Sequence, residues 1–330
     1  MPIINTSSLT KKFNSFTAVD SVSLEVKKGE IFGLLGPNGA GKTTFISMLV
    51  TMKRPTSGRA EVNGFDVSSD PMGVRKSIGI VFQDQALDEE LTAYENLDLH
   101  AALYSVPRGE RETRIMEVLK MVELDSRKDD LVKTFSGGMR RRLEIARGLI
   151  HYPKVLFLDE PTLGLDPQTR KRIWEYINKL QKEQDVTVFL TTHYMEEADS
   201  LCGRIAIIDH GKIIALDSPS ALKDSLGGDT LLMECDHPEK LCKALKGKKY
   251  VQDSRPHDGR ITLVVEKGEK QIPMLMHAAK DAGVEVSSVS LHKPTLDDVF
   301  LHYTGRTIRE ENVSAAESFK MHARARRRVS

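Results

Sequence analysis

Hydrophobic positions change their period several times along the chain. From 3 to 35 they alternate in part with polar neighbours, at Leu9, Val22, Leu24 and Val26, and Lys27-Lys28-Gly29-Glu30 interrupts them. That pattern predicts antiparallel strands broken by a turn. Residues 30–35 are short and apolar, as in a buried strand, and 45–50 predict the start of a helix. Residues 59–62 predict a strand, Asn63-Gly64 a turn, Asp70-Pro71 a short helix, and 78–82 an apolar strand. Between 92 and 150 the strand-like runs vanish. Leu97, Leu99, Ala102 and Leu103, then Ile115, Val118, Leu119 and Val122, recur at helical spacing, with Pro107-Arg108-Gly109 separating two helices. Residues 155–158 and 186–190 return to strand character. Between them Asp166-Pro167 caps a helix over 168–181, with Ile173, Trp174, Ile177 and Leu180 on one face and Trp174 expected in the core. Residues 204–208 and 212–216 flank Gly211 as a closing hairpin.

After Pro219 the pattern restarts. Strands are expected at 230–235, 250–252, 261–265 and 284–291, and helices at 238–245 and 270–282. The order β-α-β-β-α-β is that of a small ferredoxin-like split unit. A last helix over 295–303 is expected to pack back on it. Residues 306–330 carry seven Arg or Lys against three Glu, including Arg324-Ala-Arg-Arg-Arg328. Such a segment predicts a disordered tail or a contact with anionic lipid headgroups. The expected organisation is one domain over 1–225 with a helical insertion at about 88–150, an accessory domain over 228–305, and the basic tail at 306–330.

Composition narrows the class. A hydrophobic content of 40% and a charged content of 29% in 330 residues describe a globular chain. The net charge of +1 supplies no strong field for nucleic acid. Cys202, Cys235 and Cys242 are an odd set without Cys-x-x-Cys spacing, which points to free thiols in a reducing compartment. The first residues lack the layout of a signal peptide, and no apolar run reaches the ~18 residues of a membrane span. A membrane role would come through a partner.

The chemistry-bearing residues stand at element ends. Gly36-Pro37-Asn38-Gly39-Ala40-Gly41-Lys42-Thr43-Thr44 fits the phosphate-loop pattern between a strand and a helix. Glycines there let the backbone N–H groups converge on phosphate, Lys42 bridges the β- and γ-phosphates, and the Thr43 hydroxyl ligates Mg²⁺. Phe13 is a candidate to stack on a purine ring, with a core position as the alternative. Gln83 follows an apolar strand directly, where α/β folds bind ligands. Ser136 is a helix cap with Gly137 and Gly138 in the first turn; two poor helix formers there suit the close approach of an anion. Asp159 and Glu160 end an apolar strand, fitting a Mg²⁺ ligand opposite Thr43 and a water-polarising base. His193 ends another strand and could meet the γ-phosphate or the attacking water.

These pieces, in this order, resemble the nucleotide-binding cassette of ABC transporters over roughly residues 1–225. Gly36–Thr44 resembles Walker A, Gln83 the Q-loop, Phe135-Ser-Gly-Gly-Met139 the signature, and 156–160 Walker B with its catalytic glutamate. Residues 163–166 resemble the D-loop, His193 the switch histidine, and Phe13 the adenine-stacking aromatic. Phe135 and Met139 depart from the usual Leu and Gln, while Ser136, Gly137 and Gly138 are retained. The stretches 160–167 and 294–301 are similar to the ATPase subunits of multidrug-type exporters, the daunorubicin-resistance branch. The resemblance implies an α/β P-loop NTPase cassette, with a mixed sheet core, an antiparallel β subdomain and a helical insertion, followed by a ferredoxin-like α+β domain. It implies ATP and Mg²⁺, the ion held by Thr43, Gln83 and Asp159. It implies catalysis by Glu160, His193 and Lys42 and nucleotide contacts from Phe13, Gly36–Thr44, Gln83, Ser136, Gly137 and Gly138. It further implies a homodimer or cassette heterodimer closed by ATP, an integral membrane permease as partner, no nucleic acid, and a cytoplasmic place on the inner face of the membrane.

Two other readings differ in class. A soluble ABC ATPase of translation or DNA repair usually carries two cassettes or a long coiled-coil insert, and this chain has neither. A ligand-sensing module over 228–305 would make the protein a regulated switch.

Overall fold

The structure, a computed structural model, describes residues 2–257 and 259–304. The basic segment 306–330 and Asp258 lie outside the described residues. Those described form two compact units, 2–218 and 219–304.

In the first unit, β1 (Pro2–Phe13), β2 (Phe16–Lys27), β4 (Ser57–Val62) and β5 (Phe65–Asp66) form an antiparallel sheet in the order β2-β1-β4-β5. Val62 pairs with Phe65, and Asn63 and Gly64 both have positive φ, the two-residue hairpin that an Asn-Gly pair favours. A six-stranded sheet holds β3 (Ile31–Leu35), β6 (Ile78–Val81), β7 (Val155–Asp159), β8 (Thr187–Thr192), β9 (Arg204–Asp209) and β10 (Lys212–Asp217), in the order β10-β9-β3-β8-β7-β6. All its neighbours are parallel except β10, which pairs antiparallel with β9. Every residue of β3, β7 and β8 is buried. Parallel strands covered on both faces require such unbroken apolar runs. The register sets Leu35 beside Thr192, and Asp159 beside Thr191. The loops that leave β3, β7 and β8 therefore emerge side by side at one sheet edge.

The helices of this unit are α1 (Lys42–Leu49), α2 (Pro71–Ser77), α3 (Ala93–Leu103), α4 (Arg108–Met121), α5 (Gly137–Leu149), α6 (Pro167–Gln184) and α7 (Met195–Leu201). A Cβ on Gly79 of β6 would lie 2.1 Å from the Gly148 carbonyl of α5, so only glycine lets α5 settle this close to the sheet. Phe189 of β8 lies at the core, its ring centroid 5.5 Å from Phe32, 6.1 Å from Phe45 and 5.6 Å from Phe157. It is fully buried. Phe189→Ala should lower unfolding free energy by about 3–5 kcal/mol, because the cavity it leaves cannot collapse between three rings. Urea unfolding followed by fluorescence checks this, and a loss below about 1 kcal/mol would show that the core repacks.

The second unit contains α8 (Pro219–Asp224), β11 (Asp229–Cys235), α9 (Pro238–Leu245), β12 (Val251–His257), β13 (Arg260–Val265), α10 (Gly268–Asp281), β14 (Val286–His292) and α11 (Leu296–Thr304). Its sheet runs β12-β13-β11-β14, every neighbour antiparallel. Leu231, Met233, Ile261, Leu263 and Val265 pack with Leu241, Leu245 and Leu275 of the helices in one core. This is the ferredoxin-like arrangement expected from the element order.

Several local readings differ from the structure. Helix α1 begins at Lys42, three residues before the expected start, with Gly41 in a left-handed conformation ahead of it. Pro107 is the cap of α4, so Arg108 and Gly109 belong to the helix rather than to a linker; a proline needs no N–H partner there. The apolar spacing in α3 overstates its core: Leu97 is buried, yet Leu99 is 53% and Leu103 71% exposed. Trp174 is half-buried rather than core, and Tyr176 joins Ile173, Ile177 and Leu180 inside. Strand β12 is longer than the sequence pattern indicated, because an edge strand accepts polar residues and Pro256.

Candidate active site

Three adjacent strand ends bring three ionisable side chains together. Lys42 follows the loop after β3, Glu160 follows β7, and His193 follows β8. The Lys42 ammonium donates to the carbonyls of Gly36 at 2.8 Å and Pro37 at 3.0 Å, and lies 3.1 Å from Glu160 Oε1. An ammonium has three donors, and all three are engaged here. The other Glu160 oxygen, Oε2, is 3.1 Å from His193 Nδ1. A carboxylate can only accept, so this Nδ1 carries the proton.

Burial sets the electrostatics. Lys42 is 4% exposed, and burial lowers its pKa while the Glu160 carboxylate opposes that shift. Burial pushes the Glu160 carboxyl up, but the His193 hydrogen bond and the Lys42 charge outweigh it and hold it below its ordinary value. Glu160 is therefore a carboxylate at neutral pH.

The backbone at Glu160 is strained, with φ of 48°. Neighbouring groups hold it there. Its N–H donates to the Thr191 carbonyl at 3.1 Å and to Thr191 Oγ1 at 3.2 Å. The same Thr191 hydroxyl donates to Asp159 Oδ1. The Glu160 carbonyl accepts from Leu163 N and from Arg141 Nη2, each at 3.2 Å.

The loop 36–41 is pinned beside this cluster. Gly36 N donates to the Thr192 carbonyl at 3.2 Å, and the Ala40 carbonyl accepts from Gly211 N at 2.9 Å. At Gly41, φ is 107° and a Cβ would stand 2.4 Å from the Ala18 carbonyl, so the turn into α1 admits glycine alone. Asn38, Gly39 and Thr43 are exposed, Thr44 is half-exposed, and Gly36, Pro37 and Ala40 are buried.

The remaining candidates lie apart from the ion-paired cluster. Phe13 ends β1, 40% exposed, with the Lys11 and Lys53 ammonium groups 5.2 and 5.5 Å from its ring centroid. Gln83 is exposed just past β6. Ser136 caps α5, its hydroxyl accepting from Met139 N at 3.3 Å, and both Ser136 and Gly137 are exposed, with Gly138 partly so. Phe135 beside them is buried, which explains an apolar residue at that position.

Sequence reading passed over four buried polar residues that brace this edge. Thr191 lies near the end of β8, where no local pattern marks its side chain. Arg141 and Glu144 sit three apart on α5, and nothing in Arg140-Arg-Arg142 marks which arginine turns inward. Glu197 of α7 accepts from Thr162 Oγ1 at 2.8 Å and Trp174 Nε1 at 3.1 Å, and burial raises its pKa against those bonds. The helical phase that pairs Arg141 and Glu144 with Gly148 was the available signal.

Comparison with known proteins places this geometry. A family model described as ABC transporter matches residues 19–163, and one described as the DrrA1-3-like C-terminal domain of ATP-binding proteins matches residues 218–304. The linearmycin resistance ATP-binding protein LnrL of Bacillus subtilis (strain 168) is 39% identical, over 93% of this chain and 100% of its own length. The daunorubicin/doxorubicin resistance ATP-binding protein DrrA of Streptomyces peucetius is 40% identical, over 96% of this chain and 97% of its own. A solved dimeric ATP-binding cassette in a post-hydrolysis state, bound to ADP and Pi, superposes with a TM-score of 0.59 at 29% identity, over 65% of this chain and 98% of that one.

Proposed function

We infer the function from one premise: the chain belongs to the ABC transporter family, as an ATP-binding subunit with a DrrA-like C-terminal domain. It is an ATPase that powers export through a separate membrane permease. The observation that carries this reading is the Lys42–Glu160–His193 cluster at three adjacent strand ends, with the carboxylate held ionised between two cationic or N–H donors.

In this reading Lys42 exchanges the Gly36 and Pro37 carbonyls for phosphate oxygens when ATP enters. Glu160, released from Lys42, orients the attacking water. His193 keeps its Nδ1–H on Glu160, and with Nε2 protonated as well it would donate to a γ-phosphate oxygen. Loop 36–44 supplies the N–H cradle. The donor chemistry fits Mg²⁺: Thr43, Asp159 and Gln83 offer one carboxylate and two neutral oxygens. Magnesium is held through one or two carboxylates plus substrate phosphates rather than by a closed protein cage. No group of three His, Cys, Asp or Glu forms such a cage among the described residues. When bound, the ion would supply positive charge to offset the negative charge of the phosphates.

Exposed Ser136 and Gly137, with the partly exposed Gly138, complete the site from a second copy, or from a related cassette. Two chains closing head to tail on ATP would place each capped helix N-terminus against the other's γ-phosphate. Hydrolysis then removes the group that holds them. No helix among the described residues is long and apolar enough to cross a membrane. In this reading the chain acts at the inner membrane face, through a permease. Exposed Leu99 and Leu103 on α3 supply an apolar contact for it, and Asn96 ties α3 to the segment after Gln83 by accepting from Asp88 N at 2.9 Å. The first unit acts as the cassette and the second, from Pro219, as an accessory domain that steadies the dimer.

Phe13 stacks on the adenine in this account. Phe13→Ala should weaken ATP binding by about 5- to 150-fold, the range expected of ring–base stacking. Titration with a fluorescent ATP analogue measures it, and an unchanged Kd removes Phe13 from the site. The function itself is tested by Mg²⁺-dependent ATP hydrolysis of the purified chain and by co-purification with a membrane permease. A chain without affinity for adenine nucleotide would overturn it.

A further inference from the structure

Arg141 on α5 has no part in the roles above, yet it is 6% exposed and carries a full charge. A guanidinium has five N–H donors in a planar fork. Each of the five finds an acceptor. Nε donates to the Pro161 carbonyl at 2.7 Å. Nη1 donates to the Phe82 carbonyl at 2.6 Å and to Glu144 Oε2 at 2.9 Å. Nη2 donates to the carbonyls of Asp159 at 3.1 Å and Glu160 at 3.2 Å.

Those acceptors belong to separate stretches of the site. Phe82 immediately precedes Gln83. Asp159, Glu160 and Pro161 form the strained turn after β7. Glu144, wholly buried, extends the lattice, because its Oε1 accepts from Ala86 N at 2.9 Å. One ion pair therefore holds residues 82–86 at both ends and grips the backbone of Glu160 as well. Packing alone does not account for it: burying an ion pair is costly, and an apolar pair of similar volume is often as stable.

We propose that Arg141, buttressed by Glu144, is a positioning residue for ATP hydrolysis. It fixes the Glu160 backbone relative to the Gln83 segment, so that a movement of α5, the helix that Ser136 caps, is transmitted to both. The proposal rests on the ATPase reading. It assigns Arg141 no contact with nucleotide.

The test is steady-state ATP hydrolysis by the full chain and its Arg141→Lys, Arg141→Gln and Glu144→Gln variants, beside ATP affinity by calorimetry. Lysine keeps the charge but offers three donors without the planar fork. We expect kcat of Arg141→Lys to fall about 10²-fold, as a displacement of about 1 Å at a reacting group does, with KM and Kd for ATP unchanged. Arg141→Gln should lose more. Glu144→Gln, which leaves the four carbonyl contacts in place, should lose less than Arg141→Lys. Wild-type kcat in Arg141→Lys overturns the proposal. So does a parallel loss of ATP affinity in a folded variant, which would make Arg141 a general strut. So does a larger loss in Glu144→Gln than in Arg141→Lys, and that comparison stands even if Arg141→Gln does not fold. A wild-type chain that neither binds nor hydrolyses ATP sinks the ATPase reading itself; an active wild type with an unaffected Arg141→Lys sinks this proposal alone.

Discussion

Glu160→Gln is expected to lower ATP turnover by about 10²–10⁴-fold, the usual contribution of a positioned base, while ATP still binds. The reason lies in the geometry. Glu160 is the residue that faces both Lys42 and His193, through Oε1 and Oε2 respectively, each at 3.1 Å. Its backbone is locked by Thr191 and Arg141, so the side chain has little freedom to seek another role. The amide keeps the size and loses the charge. It cannot take a proton from water, and one of its two terminal atoms can no longer accept. Burial, which pushes the carboxyl pKa up, is overcome by His193 and Lys42, so the wild-type group works as a carboxylate at neutral pH. Initial rates by phosphate release, beside a binding titration, separate the two effects. Turnover within about threefold of wild type would remove Glu160 from the reaction.

Lys42→Ala should weaken nucleotide binding itself rather than turnover alone. The buried ammonium satisfies two carbonyls and one carboxylate. Removing it leaves Glu160 buried with one partner fewer and takes away the charge that meets the phosphates. Truncating one partner of a buried charge pair across a binding contact costs about 2–5 kcal/mol; the Lys42–phosphate contact of this reading is such a pair, so ATP affinity should fall at least about 30-fold. Calorimetry on the folded variant measures it. ATP affinity equal to wild type would contradict the role assigned to loop 36–44. One variant binds ATP and cleaves it slowly; the other binds it poorly.

Much of this was legible in the sequence, for physical reasons. Parallel strands buried on both faces must be apolar throughout, so 30–35, 155–158 and 186–190 announced themselves. Glycine at 36, 39 and 41 followed by Lys42 admits few other uses. The ferredoxin-like order of the second unit could be read because its strands and helices alternate in period. The exposed faces were harder. Leu99 and Leu103 have the spacing of a buried stripe and are not buried, since periodicity reports which residues share a face and not what covers it. Trp174 was expected among core residues, but its indole N–H serves Glu197. Arg141 and Glu144 were invisible for a related reason. A charged residue on a helix is ordinarily solvated, and only the close approach of α5 to β6 at Gly79 and Gly148 carries this pair inside. The His193–Glu160 pairing, likewise, depends on the register of β7 and β8, which no local pattern encodes.

That a triphosphate is clamped between two copies of the chain is tested most directly by the mass of Glu160→Gln in solution, measured by light scattering with and without Mg-ATP. The account predicts that the mass doubles when ATP is added and returns to the monomer value when nucleotide is removed. A mass that stays monomeric with saturating ATP, in a variant shown to bind it, would contradict the account.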